Sequence, residues 1–340
     1  MKNSEIKERN PNKVIAFLFV ILLIAIFLSF LIGRYGVPAI QAIKILLSEF
    51  MPIEQTWSDN MAISVLNVRL PRIILACLVG CCLSLAGTSY QSVFQNPMAA
   101  PDILGASSGA CFGAALAILF GFSGMWLTIS AFSFSIICII LVYIIGSRTR
   151  GNQIVNILLA GIMVGSIFTA GTSFVKLVAD PSNQLPAITY WLMGSLSGTN
   201  MRDVGFAVIP MLIGIIPLFI NRWRMNLLTL GDEEARSLGV NTSKLRIIVI
   251  VGATFVTAAS VAVSGMIGWV GLVIPHLSRR LIGSDNRYLI PASMLFGAIF
   301  LLLVDNVSRN LLATEIPIGI LTAFIGAPFF IYLMIGKDNR

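Results

Sequence analysis

The chain has 340 residues, of which 57% are hydrophobic and only 11% charged; its mean hydropathy is +0.90 and its formal charge +8. So little polar surface cannot cover a soluble core of this size, which excludes an ordinary water-soluble domain and leaves a polytopic membrane protein. The apolar runs are continuous rather than alternating, so they predict helices and not a barrel. At roughly 20 residues per span they leave no room for a separate soluble domain, and residues 1–340 read as one all-α transmembrane domain.

A polar, basic leader, residues 1–13, precedes the first span, Val14 to Ile32, which carries no charge. It lacks the small-residue cleavage site of a secretion signal, so it is expected to remain in the mature chain. A loop from Arg34 to Asn60 holds an amphipathic piece around Ile40 to Phe50. The second span runs from Leu66 to Phe94, with Arg69-Leu70-Pro71-Arg72 at its start and a run of small residues from Gly80 to Gly87. Two prolines make the following Gln95 to Asp102 partly non-helical. The third span, Ile103 to Phe120, opens with Gly105, Gly109 and Gly113 four residues apart, a face on which another helix packs closely.

The fourth and fifth spans are Met125 to Ile145 and Ile154 to Val178, the latter with Gly161 and Gly165 on one face. Ala187 to Leu196 is too short to cross and reads as a partial helix. The remaining spans are Val204 to Ile220, Leu245 to Ser264, Met266 to Ile282, Leu289 to Leu311 and Pro317 to Ile335, which brings the number to ten. Between the sixth and seventh lies the longest polar interval, Gly231 to Val240. Asp232, Glu233 and Glu234 suit the positive end of a short helix that Gly239 closes in a left-handed conformation, and Asn241 can cap the next helix. On physics alone this knob is either a grip for a soluble partner or a solvated connector.

Sixteen of the 23 lysines and arginines fall on the N-terminal side of this topology, which places both termini and the knob in the cytoplasm. Arg69, Arg72 and Arg309 break the rule by sitting at outer span ends. They snorkel to headgroups, or Arg309 pairs with Asp305 four residues earlier, or the three form a cationic rim for an acidic partner.

Chemistry is sparse. The five cysteines form no CxxC pair, the only histidine, His276, has no second histidine for a shared metal, and no catalytic constellation or metal site is expected. No phosphate-cradling Gly-x-x-x-x-Gly-Lys-Ser/Thr occurs, so the chain brings no nucleotide cofactor of its own. Asp305 is nearly the only acid deep in a span, which gives an ion-coupled secondary transporter, the alternative reading, weak support.

Five segments carry a family resemblance: Arg69 to Arg72, Gln91 to Gly105 with its Gln-Asn-Pro-Met-Ala-Ala-Pro-Asp core, Gly231 to Gly239, Gly268 to His276, and Glu315 to Phe330. Together they resemble the FecCD family of permeases, the membrane subunits of ATP-binding-cassette importers for ferric siderophores, haem and cobalamin. The resemblance covers nearly the whole chain. It implies a vitamin B12 permease-like (type II importer) fold of about ten helices in a bacterial inner membrane, and a transporter subunit without an ATPase site of its own. Its implied partners are two cytoplasmic ATP-binding subunits, which hold ATP and Mg, a second copy of itself or a related permease, and an extracytoplasmic binding protein; nucleic acid is not among them.

Carried over by position, the resemblance makes residues 231–246 the coupling helices, with Gly231, Asp232, Glu233, Glu234, Ala235, Leu238 and Gly239 as the ATPase-coupling residues. It makes Arg69, Arg72 and Arg309 the docking residues for the binding protein, and Asn96, Pro97 and Met98 a cytoplasmic gate. Asn152 to Val155, where a second half of the gate is expected, departs from the family pattern. So does Asp285-Asn286, where Asp-His is usual.

Overall fold

The computed structural model describes residues 10–151 and 153–335, without the side chains of residues 153, 232, 233 and 333–335. Residues 1–9 of the expected leader and Asn152 of the unassigned gate segment lie outside the described residues. Among the described residues every regular element is helical. The order is α1 (Pro11–Leu31), α2 (Ala39–Ser48), α3 (Asp59–Ala62), a π-helical stretch (Ile63–Arg69) and α4 (Leu70–Val93). A 3-10 turn (Pro101–Leu104) leads into α5 (Ala106–Leu119), then α6 (Met125–Arg148), α7 (Gln153–Val178), α8 (Gln184–Leu192) and α9 (Met201–Ile220). The chain ends with α10 (Arg222–Leu228), α11 (Asp232–Ser237), α12 (Thr242–Ser264), α13 (Val270–Ile282), α14 (Asn286–Asn310) and α15 (Ile318–Ile335).

Each of the ten expected spans has its helix, but they are not alike. Seven described helices are long and apolar enough to cross a membrane. α5 and α13 have only 14 and 13 residues, about 20 Å at 1.5 Å per residue, against a hydrocarbon layer of about 30 Å. The third span therefore starts after Gly105, not at Ile103, because the turn of Pro101–Leu104 closes on Gly105 in the left-handed region at φ 76°. Gly105 thus turns the chain rather than extending the Gly109 and Gly113 face. The eighth span starts at Val270, not Met266: Gly265 and Trp269 both have positive φ, 66° and 69°, and break the helix between them.

α4 is the central helix. Nearly all of it beyond Pro71 is buried, and it packs against α9, α12, α13 and α14. Its small residues make that possible. A Cβ placed on Gly80 would strike the backbone carbonyl of Gly297 on α14, and one on Gly109 of α5 would lie 2.6 Å from the Phe134 carbonyl of α6. These contacts are backbone against backbone, so nothing can swing aside, and van der Waals packing of this kind is what holds helices together in lipid. The π-helical stretch ahead of α4 also has a local cause. Pro71 has no N–H and its ring collides with a carbonyl four residues back in a regular helix, and the wider turn from Ile63 to Arg69 precedes that point.

Gly80→Leu and Gly297→Leu should each lower stability by about 3 kcal/mol or prevent folding, read as a lost or lowered melting transition in detergent. Gly36→Ala, in an open loop with no atom near the added methyl, should leave the transition unchanged.

Candidate functional site

Three neighbourhoods hold the polar residues of this oily chain. The first joins the start of α4 to the end of α14. Arg72 Nε donates to Asp305 Oδ1 at 2.8 Å and its Nη1 donates to both Glu315 oxygens at 3.0 and 2.8 Å. Arg309 Nε lies 3.2 Å from Asp305 Oδ2, close but not aligned as a hydrogen bond. Arg309 also donates to Asn306, whose amide donates to Ser29 Oγ of α1 at 2.5 Å. Arg69 donates to the carbonyls of Phe30 and Tyr35. Arg72 is 4% exposed and Asp305 0%.

The three arginines expected to face a partner are therefore turned inward, and each guanidinium already engages this chain. The pairing of Arg309 with Asp305, one of the sequence readings, is present, but Arg72 is the stronger partner and comes from another helix. Sequence reasoning passed over Glu315 and Arg34. Arg34 is exposed and donates to the carbonyls of Arg309 and Leu312 at 3.0 and 2.8 Å, strapping the loop after α1 to the end of α14.

The second neighbourhood is a cavity of about 730 Å³ where the broken helices meet. Gly87 of α4 touches Gly271 of α13, and Gly271 in turn packs on Pro101, so the starts of α5 and α13 lie beside the body of α4 rather than at its end. Six residues separate Gly87 from Val93, about 9 Å along the axis. The wall includes Asp102, Met193, Met266, Trp269, Ala323 and Phe324. Trp269 is a bulky residue held at positive φ, and it fits because Gly326 of α15 leaves room for its Cβ. Backbone bonds close the site on one side: Ser195 N–H to the Ser264 carbonyl at 2.7 Å and Ile318 N–H to the Gly194 carbonyl at 2.8 Å. Broken helices lining a central cavity are the usual construction of a substrate site in a transporter.

The third neighbourhood is the knob. Gly231, at φ 115°, precedes α11, and the Glu234 carboxylate bends back over it, as an acid in the third position of a helix does to satisfy free amides. Ala235 is wholly buried, so it faces the chain's own α10 and α12 and not a partner; the expectation that it is presented outward is corrected. Leu238 is 61% exposed and Gly239 closes the turn at φ 80°. The side chains of Asp232 and Glu233 lie outside the described residues. Asn241 caps the following helix through Lys244 N–H at 2.9 Å, but that helix is α12 itself, so α11 is the one short helix of the knob.

Asn96, Pro97 and Met98 form an exposed turn at the end of α4, where Asn96 Oδ1 accepts from Met98 N–H at 2.9 Å. Beside it Gln95, a non-glycine residue at φ 48°, donates to the Leu228 carbonyl of α10 at 2.5 Å. Asn226 of α10 holds Asp285 and the N–H of Asn286 at the start of α14, at 2.7 and 2.8 Å. α10 thus ties the turn and α14 to the knob, a link that no sequence signal announced.

A bundle of helices long and apolar enough to cross a membrane, with a cavity walled by the segments before α5 and α13, the end of α8 and α15, is the construction of a multi-pass permease. The chain belongs to the FecCD transport family, whose model matches residues 21–336; these are permeases of ATP-binding-cassette importers. It is 41% identical over 318 residues to the molybdate import system permease protein MolB of Haemophilus influenzae, covering 94% of each chain. It is 41% identical over 276 residues to a protein of Helicobacter pylori named as an iron chelatin transport system permease, covering 81% of this chain and 83% of that one. A solved inward-facing structure assigned to the metal-chelate type of ABC transporter superposes with a TM-score of 0.85 at 39% identity, over 96% of this chain and 99% of that one.

Replacing Asp305 by Asn or Arg72 by Ala strands a buried charge and should cost about 3–5 kcal/mol. The double change Arg72→Met with Asp305→Leu should cost clearly less than the sum, measured as a thermal-unfolding double-mutant cycle in detergent.

Proposed function

We propose that this chain is the membrane subunit of an importer for a metal chelate, with a ferric siderophore the first candidate. An extracytoplasmic binding protein delivers the cargo, two copies of a separate ATP-binding subunit supply the energy, and a second copy of the chain or a related permease completes the pathway. The observation that carries the substrate class is the cavity wall. It offers methionines, Trp269, Phe324 and one carboxylate, Asp102, and no basic side chain among its lining residues. Such a wall suits a bulky, weakly polar complex; a bare oxyanion, the cargo named for the Haemophilus influenzae relative, needs donors and cations and is repelled by Asp102. Proteoliposomes holding the full complex should take up ferric siderophore, haem or cobalamin with ATP. Uptake of molybdate to the exclusion of chelates would overturn this reading of the wall.

The energy source rests on the acids within the spans. A proton- or ion-coupled carrier needs an acid free to change state in its pathway; Asp305 is held by Arg72 and Arg309, and Asp102, in the cavity wall, accepts from the Ser107 hydroxyl. The permease alone under an ion gradient should therefore transport nothing, and transport by it alone would establish the secondary-transporter alternative.

In this reading Leu238 is the contact with the ATP-binding subunit, and Glu234 with Gly231 and Gly239 shapes the helix that presents it. Closure of the ATPases moves α11, α10 follows, and the bond from Gln95 to Leu228 passes the motion to Asn96, Pro97 and Met98. Leu238→Glu should lower substrate-stimulated ATP hydrolysis and uptake together by about tenfold or more. Gln95→Ala should lower uptake more than hydrolysis, measured on the same reconstituted complex.

Docking of the binding protein at Arg69, Arg72 and Arg309 works through their field more than through contact. With Arg34 they make four cations against two carboxylates, Asp305 and Glu315, and the excess charge lies at the exposed Arg34. Affinity for the binding protein should fall as salt rises from about 0.05 to 0.5 M, and more shallowly in Arg34→Gln; an affinity indifferent to salt would remove the docking role.

A further inference from the structure

A second cavity, of about 590 Å³, opens where the end of α4, the end of α13, the start of α14 and the segment after α10 meet. Its wall holds Arg279, Arg280 and His276 from α13, Ser92, Gln95 and Asn96 from α4 and the turn beyond it, and Thr229 and Ser284. Among the described residues no carboxylate lines it. Asp285, next to the lining residues Ser284 and Asn286, is occupied by the Asn226 amide at 2.7 Å and the Arg287 N–H at 2.9 Å. The Nη1 atom of Arg279 is buried and meets no acceptor among the described residues. A guanidinium whose hydrogen-bonding capacity is unmet by the chain is costly, and Arg279 stands in the cavity wall beside a second guanidinium, Arg280, a pair that favours an anion there.

We propose that this cavity is a binding site for a phosphate group. The donor set argues for phosphate over a carboxylate: two guanidinium groups, the Asn96 amide and the Ser284 hydroxyl line a space much larger than one carboxylate, and a tetrahedral dianion accepts from many directions at once. The phosphate has two possible carriers, a free phosphate ion or a phospholipid headgroup. Basic pockets between helices on the cytoplasmic side are where headgroups bind, and the basic-residue count puts this end there. Close by, the Arg287 guanidinium lies 5.4 Å from the Trp223 ring, a pairing typical of the interfacial belt. The site's position gives the ligand a consequence. Gln95 and Asn96 belong to the turn at the end of α4, and Thr229 follows α10, so a bound phosphate bridges the turn, the end of α10 and α13 and holds them in this arrangement. The proposal rests on this cavity alone and does not depend on which cargo is carried.

The test is thermal unfolding of the full-length permease in an uncharged detergent. One arm titrates inorganic phosphate against sodium chloride of equal ionic strength; the other titrates dihexanoyl phosphatidic acid against dihexanoyl phosphatidylcholine. Stabilisation that saturates is expected in at least one arm: the first alone assigns a free ion, the second alone a headgroup, and both the bare phosphate group. Arg280→Gln, at an exposed position that the fold does not need, and Arg279→Gln should each raise the half-saturating concentration about tenfold. No stabilisation in either arm beyond its control overturns the proposal. So does a half-saturating concentration that is unchanged in Arg280→Gln and in whichever of the two variants folds.

Discussion

Inside a bilayer a backbone amide has no water to turn to, and each one must find its partner in the protein. Long helices meet that demand by themselves, and most of this chain consists of them. The exceptions are the starts of α5 and α13 and the junctions beside them, where Gly105, Gly265 and Trp269 take positive φ and the helices stop. These breaks survive because they are enclosed by neighbouring elements, Gly105 by α6 and α7, Gly265 by the end of α8 and Trp269 by Gly326 of α15, and Ser195, Ser264, Gly194 and Ile318 exchange bonds that helix would otherwise provide. The cavity is a product of the same requirement: irregular backbone is tolerated where it is enclosed by protein or lines a hollow, and here it does both.

The ionic cluster at the other end of α4 uses related logic. Arg72, Asp305 and Arg309 are held out of water, where unpaired they would be very costly, and their bonds to one another and to the partly exposed Glu315 fix the crossing of α4 on α14. Arg69 and Arg34 extend this to α1 and to the loop after α14 through backbone carbonyls. A cluster that binds the helix ends so firmly forms a rigid platform at this end of α4.

The knob has a short physical link to the end of α4. α11 is joined to α10, α10 to the turn after α4 by Gln95 and to α14 by Asn226, and the same turn borders the basic cavity. The knob, the turn and the basic cavity are therefore one mechanical unit, though they are far apart in sequence.

Hydropathy and charge by themselves decided the class, the number of spans and the polar knob, because a twenty-residue apolar run and an excess of basic residues on one side are read along the chain without reference to partners. The close-packing glycines of α5 and α7 were legible for the same reason, as was the amphipathic α2. Only the tertiary structure decided the rest. The third and eighth spans begin late because of backbone angles at Gly105 and Trp269 that no hydropathy window registers. Ala235 faces inward although it lies in the most polar stretch of the chain. Arg69, Arg72 and Arg309 look like a cationic rim in one dimension, yet they lie buried against carboxylates and carbonyls up to 243 positions away, since a charge chooses its partner by distance in space and the sequence records only distance along the chain.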